Sequence, residues 1–231
     1  MELFTSRPVG DAMATTIWGM SSSWTLTALP LFVWMGEILF RTKLSENLFE
    51  GLSPWMQKLP GGLIHVNVVG CAIFAAISGS SAATVATVGK MSIPELRKRN
   101  YPEKILLGSL AGSGTLGLLI PPSIILIIYG VTVQESIAKL FIAGIFPGIM
   151  IAIIFMTYVV IWSLMNKDKM PVLTEEIPFI EKIKKSGKLI PVILLIVSVI
   201  GSIYSGVATA TEAASLGVVG ALILSFFQKS L

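Results

Sequence analysis

The sequence is poor in charge. Asp, Glu, Lys and Arg make up 13% of its 231 residues, well below the roughly 25% of a soluble domain. Hydrophobic residues make up 54%, and the mean hydropathy is +0.83. These values exclude a water-soluble globule and read as an integral membrane protein, all-α and polytopic, in contact with the lipid bilayer. The chain has one cysteine, Cys71, which excludes an internal disulfide. It lies in an apolar run and reads as a small buried hydrophobe. The one histidine, His65, has no partners for a metal centre, which needs further nitrogen or sulfur ligands. It reads as structural or interfacial. A serine hydrolase would need a histidine beside its serine, and only His65 is on offer. HExxH, GxxxxGK[ST] and Cys/His clusters are absent, so no enzyme signature is present. Net charge is +4, but no basic stripe interleaves with aromatics, which excludes a nucleic-acid partner.

What is present is a set of apolar runs, two of them interrupted. A first helix is expected over 25–40, preceded by Trp18 and Trp24 as interfacial anchors and carrying Pro30 in its first turns. Residues 1–12 are polar and read as a loop or amphipathic entry, not a cleaved signal. A mixed loop is expected over 41–62. The run 63–88 is broken at Ser78-Gly79-Ser80-Ser81. The run 105–129 is broken at Ser113-Gly114-Thr115 and again at Pro121-Pro122. A clean helix over 140–164 follows. A polar surface linker over 166–188 carries a short amphipathic helix, and two further helices span 189–204 and 213–227.

The loop charges give an orientation. All Lys and Arg except Arg7, Lys139 and Lys229 fall in three segments, 41–62, 90–104 and 166–188. The positive-inside rule makes all three cytoplasmic. A single span over 63–88 would put the first two on opposite faces. A re-entrant hairpin over 63–90 puts both inside, so the charges favour a hairpin. The connector 131–139 then lies outside.

Helix breaks inside lipid survive only where they are buried in protein or line a polar cavity, and paired breaks point to a transporter's binding site. Serine and threonine hydroxyls and freed carbonyls are oxygen ligands suited to Na+. Proline gives no N–H to the carbonyl four residues earlier, so Pro121 and Pro122 deprive Gly117 and Leu118 of helical donors. Ser80 or Ser81 can cap the half-helix that follows the first break, whose N-terminus suits an anion. A cation and a carboxylate at one break suit ion-coupled uptake of an organic anion. The plain alternative is helix packing by small residues. Proton coupling would need a titratable group at depth. Glu37 and Glu212 are the candidates, and both lie toward helix ends, where capping explains them, which favours Na+ over H+.

Several stretches resemble the large permease subunit (DctM-like) of TRAP (tripartite ATP-independent periplasmic) transporters. They are Ala28-Leu29-Pro30-Leu31-Phe32 with Met35-Gly36-Glu37, Leu59-Pro60-Gly61-Gly62, Ile77 to Thr84, Ile93-Pro94-Glu95, Ser113 to Ser123, Phe141 to Gly148, and Ala210-Thr211-Glu212-Ala213-Ala214. The resemblance runs over nearly all of 1–231. It implies a bacterial inner-membrane, multi-pass, elevator-type fold of two inverted repeats, each with a re-entrant hairpin and a broken helix. This chain shows one of each, a broken helix over 105–130 following the hairpin, and so corresponds to the N-terminal half. The resemblance also implies a small membrane subunit, a periplasmic solute-binding protein and a Na+ gradient, with no other cofactor. Carried over by motif, Ser78, Gly79, Gly117, Ile120 and Pro122 would hold Na+. Ser80, Ser81, Ser113, Gly114 and Thr115 would contact the substrate, an organic anion of the carboxylate class. The alternatives from the residues are a non-transporting membrane scaffold and an H+-coupled carrier.

Overall fold

The computed structural model describes residues 9–171 and 178–227. Among the described residues, eleven α-helices and short 3-10 turns account for the architecture, with no strand. The helices are α1 (Val9–Ser21), α2 (Ala28–Arg41), α3 (Leu44–Met56), α4 (Ile64–Ser78), α5 (Ser81–Lys98), α6 (Glu103–Gly114), α7 (Ile124–Val133), α8 (Ile137–Met165), α9 (Phe179–Ser186), α10 (Ile190–Tyr204) and α11 (Ala210–Phe227).

Among the described residues, three helices are long and apolar enough to cross a membrane: α8, the 26-residue run Phe179–Tyr204 that joins α9 to α10, and α11. The α1–α2 pair qualifies as a fourth if its 41° bend belongs to one span. At 15 residues, α4 reaches about 22 Å, short of the ~30 Å hydrocarbon core.

Three sequence expectations need correction. Residues 9–21 form a helix, and Trp18 lies within it, where it was expected ahead of the first one. At 9–12 this helix favours the amphipathic entry over the loop among the two readings for 1–12, whose first eight residues lie outside the described residues. The mixed loop at 41–62 contains α3, an amphipathic helix that buries Leu44, Leu48 and Leu52 at four-residue spacing. The second hairpin arm runs past residue 90 to Lys98, so Lys90, Arg97 and Lys98 stand on a helix. In the linker 166–188, residues 172–177 lie outside the described residues. Phe179–Ser186 forms the short helix expected there.

Small residues set the close helix crossings. On α11, Ala213, Gly217 and Ala221 recur at four-residue spacing and are buried. A Cβ on Gly217 would stand 2.5 Å from Met35 Sδ of α2. In lipid, helices associate through close packing and not through hydrophobic expulsion, so small residues mark such contacts.

The basic segments gather at one end. Glu46, Glu50, Lys90, Glu95, Arg99 and Lys185 line one cleft of about 650 Å³. Lys188 pairs with Glu50, and Trp55 Nε1 donates to Ser186 Oγ at 2.7 Å. At the same end, Leu63 N donates to the Tyr101 hydroxyl at 3.0 Å.

Candidate functional site

The first break makes a tight helical hairpin. Helix α4 ends on Gly79, whose φ of +58° and ψ of 8° place it in the left-handed region that glycine enters without penalty. Ser80 then takes an extended conformation and caps α5, its Oγ accepting from Ala83 N at 3.5 Å. The arms run antiparallel: a Cβ on Gly70 would meet Val88 Cγ1 at 3.5 Å. Hydroxyls knit the tip internally. Ser78 Oγ lies 3.0 Å from Thr84 Oγ1, and Thr84 Oγ1 donates to the Ser80 carbonyl at 2.8 Å.

The second break interrupts α6 after Gly114. A 3-10 turn, Thr115–Leu118, and the Pro121-Pro122 pair, joined by a cis peptide bond, lead into α7. The two breaks meet. Ile124 N donates to the Gly79 carbonyl at 3.3 Å. A Cβ on Gly117 would stand 2.9 Å from Ser81 N, and one on Gly79 would stand 2.6 Å from the Pro122 carbonyl oxygen. A Cβ on Gly114 would stand 1.9 Å from Val85 Cγ2 of α5. Only glycine lets the two backbones come this close.

The site residues read from the sequence divide accordingly. Ser78, Gly79, Ser80, Ser81, Gly117 and Pro122 come together, and Gly114 packs beside them. Thr115 is exposed, with its hydroxyl donating to the Gly112 carbonyl at 2.7 Å. Ser113 is fully buried and donates to the Ser109 carbonyl at 2.6 Å. Its Oγ also lies 3.4 Å from the Asn67 carbonyl of α4. Ile120 lies against α8, where a Cβ on Gly148 would stand 2.8 Å from its Cγ1.

The freed carbonyls also divide. Ser123 Oγ donates to the Leu118 carbonyl at 2.7 Å and replaces the missing helical donor. Gly117 is then the carbonyl that proline leaves without its helical donor. Ser81, whose backbone N packs against Gly117, has a buried hydroxyl with no hydrogen-bond partner. A buried hydroxyl without a partner is a destabilising feature. It fits a site that supplies oxygen to a cation.

Sequence reasoning missed the residues that brace this meeting point. Gly36 of α2 faces the tip: a Cβ there would stand 3.0 Å from Ser78 Cα. Gly144 of α8 faces the second break, with a Cβ 2.7 Å from the Leu119 carbonyl oxygen. Gly144 and Gly148 stand at the GxxxG spacing that marks close helix packing. A cleft of about 320 Å³ opens at the tip between α2 and α5, lined by Gly36, Glu37, Ser78, Ser80 and Ala83 among others. Glu37 is engaged by Arg41 at 2.9 Å. Glu212 accepts from Thr209 N and Thr209 Oγ1, both at 2.8 Å, in a capping box at the start of α11. His65 is buried, its Nε2 2.8 Å from the Pro60 carbonyl.

The profile of the family described as "Tripartite ATP-independent periplasmic transporter, DctM component" matches residues 1–231. The chain is similar to the C4-dicarboxylate TRAP transporter large permease protein of Pseudomonas aeruginosa, with 35% identity over 94% of this chain and 50% of that protein. It is 34% identical to the isethionate TRAP transporter permease protein of Oleidesulfovibrio alaskensis, over 96% of this chain and 34% of that one. It is 35% identical to the ectoine/5-hydroxyectoine TRAP transporter large permease protein of Ruegeria pomeroyi, over 86% of this chain and 46% of that one. The chain thus spans about half or less of the length of these relatives.

Proposed function

The chain belongs to the DctM component family of tripartite ATP-independent periplasmic transporters, and from that premise we propose that it forms part of a large permease subunit importing an organic anion of the carboxylate class, coupled to a Na+ gradient. In this reading it sits in a bacterial inner membrane, works with a small membrane subunit and receives substrate from a periplasmic solute-binding protein. The relatives' names support the substrate class: a C4-dicarboxylate and isethionate are anions, and ectoine carries a carboxylate.

One observation carries the reading: the two breaks meet at the hairpin tip. Na+ enters there as co-substrate. The Gly117 carbonyl lacks its helical donor, and Ser81, whose backbone packs against Gly117, has a buried hydroxyl without a partner. Both are hard oxygen donors in a site shielded from water. The N-terminal end of α5, capped by Ser80, directs backbone N–H groups and a partial positive charge at the same tip. A bound cation and a substrate carboxylate there stabilise one another through their opposite charges, which links ion to anion.

Short α4 and the clustering of the three basic segments at one end support a re-entrant hairpin that enters and leaves from the cytoplasm. The hairpin and the broken helix, interlocked at Gly79, Gly114 and Gly117, are then the unit that moves in an elevator step. Na+ is preferred over H+ because the two carboxylates nearest apolar segments are already engaged, Glu37 by Arg41 and Glu212 by Thr209.

The test is uptake in proteoliposomes holding this chain within its complete transporter, with the binding protein supplied. Uptake that requires an inward Na+ gradient and falls in Gly117→Pro and Ser81→Ala supports the reading. Uptake indifferent to Na+ but driven by a pH gradient overturns the coupling, and no uptake of any carboxylate overturns the substrate class.

A further inference from the structure

We propose that Asn67 is a positioning residue that holds the first hairpin arm in register with the first half of the broken helix, so that the tip and Gly117 meet. Asn67 lies on α4 and is fully buried. Its Nδ2 donates across the helix boundary to the Leu106 carbonyl at 3.3 Å and to Ser109 Oγ at 3.0 Å. Its own carbonyl accepts from Ser113 Oγ at 3.4 Å. A carbonyl only accepts, so the NH2 group must face Leu106, which fixes the amide orientation. Asn67 Oδ1 is then buried with no partner.

Neither serine needs this amide. Ser109 Oγ already donates to the Leu106 carbonyl at 2.9 Å, and Ser113 Oγ to the Ser109 carbonyl at 2.6 Å, both within α6. A leucine at 67 would fill similar space and leave no unpaired oxygen, so packing alone disfavours asparagine here. What the amide adds is direction. Two apolar helices in lipid have no hydrophobic penalty for sliding past one another. One amide bound to a carbonyl and a hydroxyl on the neighbour fixes their axial offset.

The spacing shows what that offset sets. Asn67 stands eleven residues before Ser78, and Leu106 stands eleven before Gly117. Matching spans running side by side, α4 on one side and α6 with its short 3-10 extension on the other, carry the register from the amide to the tip, about 16 Å away along α4. A slip of one turn would move Gly117 by about 5.4 Å and leave Ser81 without its neighbour.

The experiment is amide hydrogen exchange by mass spectrometry on the folded protein in lipid nanodiscs, wild type against Asn67→Leu and Ser109→Ala. In Na+-free buffer, Asn67→Leu keeps or raises the melting temperature. Exchange at 78–84 and 115–120 nevertheless rises about three- to tenfold, the worth of one or two interhelical hydrogen bonds. Ser109→Ala keeps the Leu106 contact and gives a smaller rise in the same segments. It carries the test if Asn67→Leu does not fold. Unchanged exchange at both segments, or a rise spread evenly over all helices, overturns the proposal. The proposal deepens the Na+ reading only through a second readout: the Na+ concentration giving half-maximal protection increases in Asn67→Leu. If Na+ fails to protect the wild type, the coupling reading falls, while the Na+-free comparison still decides on Asn67.

Discussion

The Gly79 carbonyl accepts a hydrogen bond from the amide of Ile124 at 3.3 Å. This bond ties the turn of the hairpin to the first residue of the half-helix beyond the second break. Two interruptions that are separate in sequence are therefore one feature in space.

Gly79→Ala breaks that feature. Its φ of +58° is strained for alanine, and the added Cβ would stand 2.6 Å from a backbone oxygen that cannot rotate away. Strain of this kind is of order 1–3 kcal/mol. The variant should melt at a clearly lower temperature and lose uptake, as measured by thermal denaturation in detergent and by transport in proteoliposomes.

Gly217→Leu separates structure from transport chemistry. It lies between α2 and α11, where even a Cβ would stand 2.5 Å from Met35 Sδ. Overpacking of this kind costs about 1–3 kcal/mol. The expected outcome is a lower melting temperature with the Na+ concentration for half-maximal uptake unchanged.

Glu212→Gln addresses proton coupling. Gln also serves at the third position of a capping box, so the hydrogen bonds from Thr209 survive. The variant should fold and transport with unaltered Na+ dependence. Uptake that loses a dependence on the pH gradient would instead assign Glu212 to proton movement.

The orientation is open to labelling. In a Cys71→Ser background, Lys98→Cys and Gln134→Cys should react with a membrane-impermeant maleimide from opposite sides of right-side-out vesicles, with Gln134→Cys reacting first. Lys98→Cys reacting before Gln134→Cys would remove the re-entrant hairpin, since a single span over 63–88 puts residue 98 outside and residue 134 inside.

The breaks were legible because their residues are locally informative: Ser80 caps a helix, Gly79 turns one and Pro121 withholds a donor, wherever each stands. The uninterrupted helices α8, α10 and α11 were legible because lipid demands continuous apolar sequence. Helix α3 was missed although Leu44, Leu48 and Leu52 carry the period, because its other face is polar and a hydropathy reading discards it. The second arm was cut short at residue 90 for the same reason, since its last turns leave the apolar environment. The contact of Gly117 with Ser81, the bracing by Gly36 and Gly144, and the amide of Asn67 were not legible. Each depends on the register between helices, which no local pattern records. The buried hydrogen bond of Ser113 to the Ser109 carbonyl was not legible either, because a hydroxyl in a broken segment looks the same whether it faces a cavity or its own helix.

The central claim is that the joined breaks bind Na+ through oxygens that include the Ser81 hydroxyl. The most direct measurement is the melting temperature of the complete permease subunit in NaCl against KCl at equal ionic strength, for wild type and Ser81→Ala. A ligand that binds only the folded state stabilises it by about 2.7 kcal/mol at a hundred times its Kd. The account predicts a Na+-specific rise in the wild type that shrinks in Ser81→Ala, with the two proteins melting alike in KCl or the variant slightly higher. An equal Na+-specific rise in both proteins, or none in either, would contradict it.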